Sequence, residues 1–329
     1  MNDRLARRSF LKKSVTASLA APFVASLEEH RLLLAAPAAT ALVPPARVSL
    51  CQRWHGTIGK VKMSRLICGG NLISGYAHSR DLIYVSTLLK HYFTDDKIIE
   101  TWALCEQYGV NTMIFNPTDG HAIDVYRKYR KQGGRIQYLA QISPQPKEFQ
   151  TVIQQAVDDG AVGAFLVGNL GDEWTRDGKV GQIGELVALI KAQKLIAGVG
   201  GHELRTVTMV EKAGVAPDFY VKTLHGNNYW SKRQPGQDKD VIENYGLDNY
   251  WCKDPEQTIR YMSEMERPWI AYKVLAAGAI HPKAGFRHAF ENGADFALVS
   301  MFDFQVAENV AVANELLASQ LNRQRDWVA

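Results

Sequence analysis

The sequence predicts a single-domain α/β protein, a (β/α)₈ TIM barrel, on three observations. Apolar runs of roughly four to eight residues alternate with stretches of helical period, and turn signals separate them. Eight such units can be counted, whereas an open doubly wound sheet usually stops at about five to seven strands. The chain has 329 residues, 46% hydrophobic and 22% charged, which is enough apolar material for one large core.

The expected elements follow in order. Strand one spans 61–68 and leads through a long loop to a helix over 94–108, with Thr94 as N-cap, two aspartates in its first turn and Gly109 as its stop. Strand two covers 110–116, followed by a helix over 121–131 that Gly133 and Gly134 end. Strand three is 136–142, with a helix over 146–159 that Gly160 stops. Strand four is 162–168 with a helix near 183–193, and strand five is 195–199 with a helix over 203–213. The last three strands are 219–224, 269–275 and 296–301. The barrel domain is expected over 47–329, preceded by a signal and linker over 1–40.

That N-terminus is set apart from the fold. Arg7-Arg8-Ser9-Phe10-Leu11-Lys12 precedes an uncharged run over 14–27, too short for a membrane span and without the charged face of an amphipathic helix. The hexapeptide resembles the twin-arginine export signal, which implies passage through the twin-arginine translocation machinery and a periplasmic location. Two small-residue sites, Ala36-Pro37-Ala38 and Ala39-Thr40-Ala41, suit cleavage. Net charge is +4, and residues 1–40 hold six basic and three acidic side chains, so the remainder is near +1 and nucleic acid is a poor partner. Four cysteines show no metal-binding spacing, and a disulfide is permitted but not implied.

In a parallel barrel the chemistry lies at the carboxyl ends of the strands. Those positions hold Asn71, Asn116, Gln141, Asn169, His202, Lys222, His225, Lys273 and Asp303. Loops 71–93 and 226–258 are long enough for lids or substrate elements, and both are rich in aromatics. Tyr229 and Trp230 suit the apolar faces of a sugar, or pack the loop down. Arg80 offers a planar donor fork for a carboxylate or hydroxyls, or forms a local pair with Asp81. Gly278, with the turn Gly293-Ala294-Asp295, is a candidate phosphate cradle.

Several segments, in order, resemble the aldo/keto reductase superfamily over most of 58–320. They are Val61-Lys62-Met63-Ser64-Arg65-Leu66 with Gly69-Gly70, then Gly109-Val110-Asn111, Ile196 to His202, Ile270 to Ile280, and the last strand and helix with Glu308-Asn309. The resemblance implies a carbonyl substrate, hydride transfer from a nicotinamide, and an adenine held by Glu308 and Asn309. The departures are equally specific. The family's Asp, Tyr, Lys, His tetrad is not retained, since Asn116, Gln141 and Asn169 end strands two, three and four. Gly200 and Gly201 replace the nicotinamide grip, and Asp303 stands where a basic residue would hold a 2′-phosphate, which disfavours NADP.

Three chemistries compete for the replacement group. His202 and His225 serve as general acid and base, or ligate a divalent metal with Asp303 or Asn169, or Lys222 or Lys273 forms a Schiff base. The bland alternatives are histidines that bond loops and lysines turned outward under a helix. The expectation is an exported enzyme acting on a carbonyl compound, a sugar or keto-sugar, in the oxidoreductase class with tightly bound NAD as candidate cofactor. The alternatives are a metal- or Schiff-base-assisted lyase, isomerase or hydratase, and a non-catalytic carbohydrate-binding barrel.

Overall fold

Period-two alternation along each apolar run decides which side chains fill the barrel and which meet the helices. The computed structural model describes residues 49–80, 82–115, 119–237 and 248–329. Eight parallel strands close in it: β3 (Leu66–Gly69), β4 (Thr112–Met113), β5 (Gln137–Ile142), β6 (Gly163–Leu166), β7 (Ile196–Gly201), β8 (Phe219–Thr223), β9 (Trp269–Tyr272) and β10 (Phe296–Ser300), with β10 pairing both β9 and β3. Ile67, Leu139, Phe165, Phe219, Val221, Ile270 and Phe296 form the inner core. Their neighbours Leu66, Tyr138, Ala164, Tyr220 and Ala271 pack outward with the helices.

The expected strand over 61–68 is two elements. β2 (Val61–Ser64) pairs antiparallel with β1 (His55–Ile58), and β3 begins after Arg65. The break falls where the Arg65 guanidinium donates to the carbonyls of Arg53, Asp295 and Ala329. Ile58, Val61 and Met63 of this hairpin join the inner core, so the hairpin is the barrel's floor. Strand two is shorter than expected: its ladder covers Thr112–Met113, flanked by bonds from the Ile114 N–H to the Cys68 carbonyl and from the Gln137 N–H to the Asn111 carbonyl.

Helices lie where the sequence reading placed loops. Tyr84–Tyr92 is helical inside the first long loop, Gly168–Arg176 starts directly at the end of β6, and Pro255–Ser263 closes the second long loop. The Asp95–Gln107 helix has its expected cap, the Thr94 hydroxyl accepting from the Lys97 N–H. No helix among the described residues is long and apolar enough to cross a membrane. The twin-arginine hexapeptide, the linker and Asn116 lie outside the described residues.

Candidate active site

The strand ends surround a cavity of about 230 Å³. Gln141, Tyr272 and Ser300 reach it from the inner face of the barrel, and Trp251 and Phe302 supply aromatic walls. Its size suits a small ligand, below the ~300–1,000 Å³ of sites for drug-sized molecules.

His202 follows β7 directly and continues its inward alternation into the cavity. The Gly168–Arg176 helix, lying against β7, supplies its partner: the Asp172 carboxylate meets His202 Nδ1 at 2.8 Å, both side chains 2% exposed. The same carboxylate accepts from the backbone N–H of His202 and of Glu203 and from the Thr206 hydroxyl. An acceptor at Nδ1 fixes the tautomer and leaves Nε2 as the basic nitrogen. Burial pushes the His202 pKa below its ordinary value, against the opposing pull of Asp172. Gly168 is required here, because a Cβ would strike the Tyr272 hydroxyl and crowd the His202 ring. The rings of His202 and Tyr272 lie 5.4 Å apart.

Lys273 comes to the mouth through a break in alternation. Tyr272 faces inward, so a regular strand would turn Lys273 outward, but its φ of 58° is left-handed and the side chain lines the cavity. Its ammonium lies 4.1 Å from the Trp251 ring centre and 3.1 Å from His78 Nε2. Burial lowers its pKa to about 7. The Trp251 face favours the cation and acts the other way. At neutral pH the group therefore exchanges a proton readily.

The other residues singled out in the sequence take separate places. Lys222 alternates to the helix-facing side of β8, donating to the carbonyl and hydroxyl of Thr223. It does not line the cavity, and burial lowers its pKa. His225 is a loop anchor: Nε2 accepts the N–H groups of Trp251 and Cys252, and Nδ1 contacts the Gly226 carbonyl. Burial lowers its pKa to about 4, so it stands neutral. Asp303 accepts from the Tyr92 hydroxyl and pairs with Lys97 at 2.9 Å, and thus does not join the two histidines. No group of three or more His, Cys, Asp or Glu side chains among the described residues is arranged to hold a metal.

Asn71 lines the cavity, its backbone N–H donating to the Ser300 hydroxyl, whereas Asn169 sits in the first turn of its helix and does not. Arg80 joins the two long loops, donating to the Ser231 carbonyl and lying 3.7 Å from Asp248. Tyr229 is buried with its hydroxyl on the Asn249 carbonyl, while Trp230 is 88% exposed. Gly278 lies at the cavity rim, but Gly293 precedes β10 at the opposite end of the barrel, so the two do not form one cradle. Asp172 and Tyr272 are site positions that no sequence signal marks, and His78 stands in the His78-Ser79-Arg80-Asp81 cluster whose candidate ligand group is Arg80. Asp172 lay in a glycine-containing stretch read as a loop, and Tyr272 inside an apolar strand.

A nicotinamide dinucleotide, implied by the resemblance, fits these residues poorly. Asp303 at the end of β10 disfavours a 2′-phosphate, and the two residues expected to hold adenine diverge, Glu308 being exposed while Asn309 is buried on another face of the same helix.

No protein-family model matches the sequence, and no curated protein matches it. Solved structures do. One, described as an aldo-keto reductase of Pseudomonas aeruginosa, is 16% identical, with 80% of this chain and 95% of that chain covered and a TM-score of 0.57. Another aldo-keto reductase structure from the same organism is 15% identical over 80% of this chain and 96% of that one, with a TM-score of 0.54. The apo form of a protein named Gox0644 is 10% identical over 82% and 93%, with a TM-score of 0.54. At these identities the likeness establishes an aldo-keto-reductase-like TIM barrel as the fold.

Proposed function

We propose that this chain is an exported enzyme acting on a small carbonyl compound, a sugar or keto-sugar. Lys273 and the Asp172–His202 pair carry the acid–base work. One observation supports this above the rest: an amine with a pKa of about 7 and a carboxylate-oriented imidazole line the same small cavity at the catalytic end of a barrel. Hydroxyl groups of such a substrate find Gln141 and Ser300, and its apolar faces find Trp251 and Phe302. Export is supported by the twin-arginine hexapeptide at Arg7 to Lys12. A location outside the cytoplasm, without a ready cycle for reducing free nicotinamide, favours proton transfer over hydride transfer.

The test is deuterium exchange into the carbons beside the carbonyl of short ketoses and aldoses, followed by NMR. Lys273→Met and His202→Ala are expected to lower exchange by about 10²- to 10⁴-fold, the usual worth of a positioned acid or base. Unchanged exchange in both variants refutes the assignment. Sugar binding without exchange, surviving His202→Ala, returns the carbohydrate-binding reading. The likeness to aldo-keto reductase barrels favours a second reading, hydride transfer, which requires a nicotinamide dinucleotide released on denaturation.

A further inference from the structure

We infer that Lys273 bonds covalently to its substrate, holding a short hydroxylated aldehyde or ketone as an imine while His202 moves the proton on the neighbouring carbon. This inference rests on the function proposed above.

Backbone strain concentrates around this lysine. Six non-glycine residues among those described are left-handed, and five of them, His78, Arg80, Lys273, Ala276 and Ala277, belong to the two segments that meet over the cavity. Such conformations are unfavourable for residues that carry a Cβ and persist where the surroundings over-determine them. Lys273 and its contact His78 are both left-handed, so strain is stored on each side of the 3.1 Å contact that places the amine. The Trp251 ring holds the same nitrogen from another side, which restricts the rotamers of a side chain that is otherwise freely mobile. An acid–base group could exchange protons through water from a looser position. A nucleophile needs a fixed approach to carbon.

The chemistry balances without a co-reactant. The neutral amine adds to the carbonyl carbon, a C–N bond forms, and the carbonyl π electrons go to oxygen, which takes the proton that nitrogen releases. A further proton converts that hydroxyl to water, which leaves, and the nitrogen lone pair completes the iminium. His202, neutral at rest, then takes the α proton, and the C–H electrons flow toward nitrogen to give an enamine. The imidazolium formed is stabilised by Asp172. Return of the proton to the same carbon regenerates the iminium, which water hydrolyses to free amine and carbonyl; return from the opposite face yields the epimer at that carbon.

Among the described residues, His78, Tyr272 and Trp251 face the amine, with His202 also lining the cavity. Its lowered pKa supports the assignment: at neutral pH an amine of pKa about 7 carries on the order of a thousandfold more of the nucleophilic form than an ordinary lysine.

The probe is dihydroxyacetone, reduced in place with sodium borohydride on the wild-type protein and read by intact mass and peptide mapping. The expected result is a single reduced adduct on Lys273, absent from Lys273→Arg and retained in His202→Ala, which loses only the α-proton exchange. Peptide mapping of the wild type does not depend on how well a variant folds. An adduct spread evenly over surface lysines overturns the inference. So does exchange of dihydroxyacetone protons at the wild-type rate with no adduct on Lys273, a result that leaves the proposed acid–base function standing. Neither exchange nor an adduct with any short sugar removes both.

Discussion

Asp172 and His202 reach each other from the helix after β6 and the end of β7, Oδ2 to Nδ1 at 2.8 Å, and the carboxylate also holds the backbone on which the histidine stands. One carboxylate thus sets both the ring's tautomer and its place. Asp172→Asn preserves shape but offers an amide donor where two N–H groups and a ring nitrogen need an acceptor. Turnover is expected to fall by about 10²- to 10⁴-fold with a much smaller change in KM. A change confined to KM would assign Asp172 to substrate binding.

Lys273 gives the site a pH dependence with a definite sign. Its folded-state pKa of about 7 lies below the ordinary ~10.4, so between those values the unfolded chain binds more protons and stability rises with pH. Activity that needs the free amine rises through about pH 7. In Lys273→Met both trends flatten, and the variant is more stable than wild type below neutrality. Melting curves across the range check the sign.

His225 ties down the second long loop. In His225→Ala the N–H groups of Trp251 and Cys252 lose their acceptor, at a cost of about 1–3 kcal/mol for each buried group left unpaired. Wild-type stability is expected to fall as pH drops from about 6.5 toward 4, because the unfolded chain takes up the proton first. Urea unfolding of both proteins near neutral and near pH 5 tests both statements.

Arg80 acts between loops more than on the ligand. Arg80→Ala removes the bond to the Ser231 carbonyl and the pair with Asp248, which is partly exposed and contributes ~0–1 kcal/mol. The expected result is a raised KM, a nearly unchanged melting temperature and faster proteolysis within 226–237.

At the barrel's base, buried Asp295 accepts from the buried Arg325 and from the backbone N–H groups of Trp269 and Val328. Asp295→Ala strands a buried guanidinium and is expected to cost about 3–5 kcal/mol, measured by denaturant unfolding. The loss should leave KM unaffected in whatever fraction stays folded.

Much of the fold was legible because parallel strands buried on both faces read as apolar runs, and the eight runs around 66–69 through 296–300 did so. The Gly168–Arg176 helix was not legible, since it begins without a linker on a glycine chosen for closeness to Tyr272 and His202. His202 and Lys273 could be named from their places at strand ends. Lys222 could not be separated from them without knowing that Phe219 and Val221 face inward, which sends Lys222 outward. Left-handed φ at Lys273 overrides the same rule, and no residue type announces that.

The hairpin of β1 and β2 has a kinetic meaning. Ile58, Val61 and Met63 fill the barrel from below, so among the described residues the cavity opens toward the carboxyl ends of the strands. Whatever enters must leave by the same route, past Trp251 and the loops that Arg80 fastens together. In the reaction proposed above, product and incoming substrate would therefore exclude one another, and the pace of departure would set an upper limit on how fast the cycle repeats.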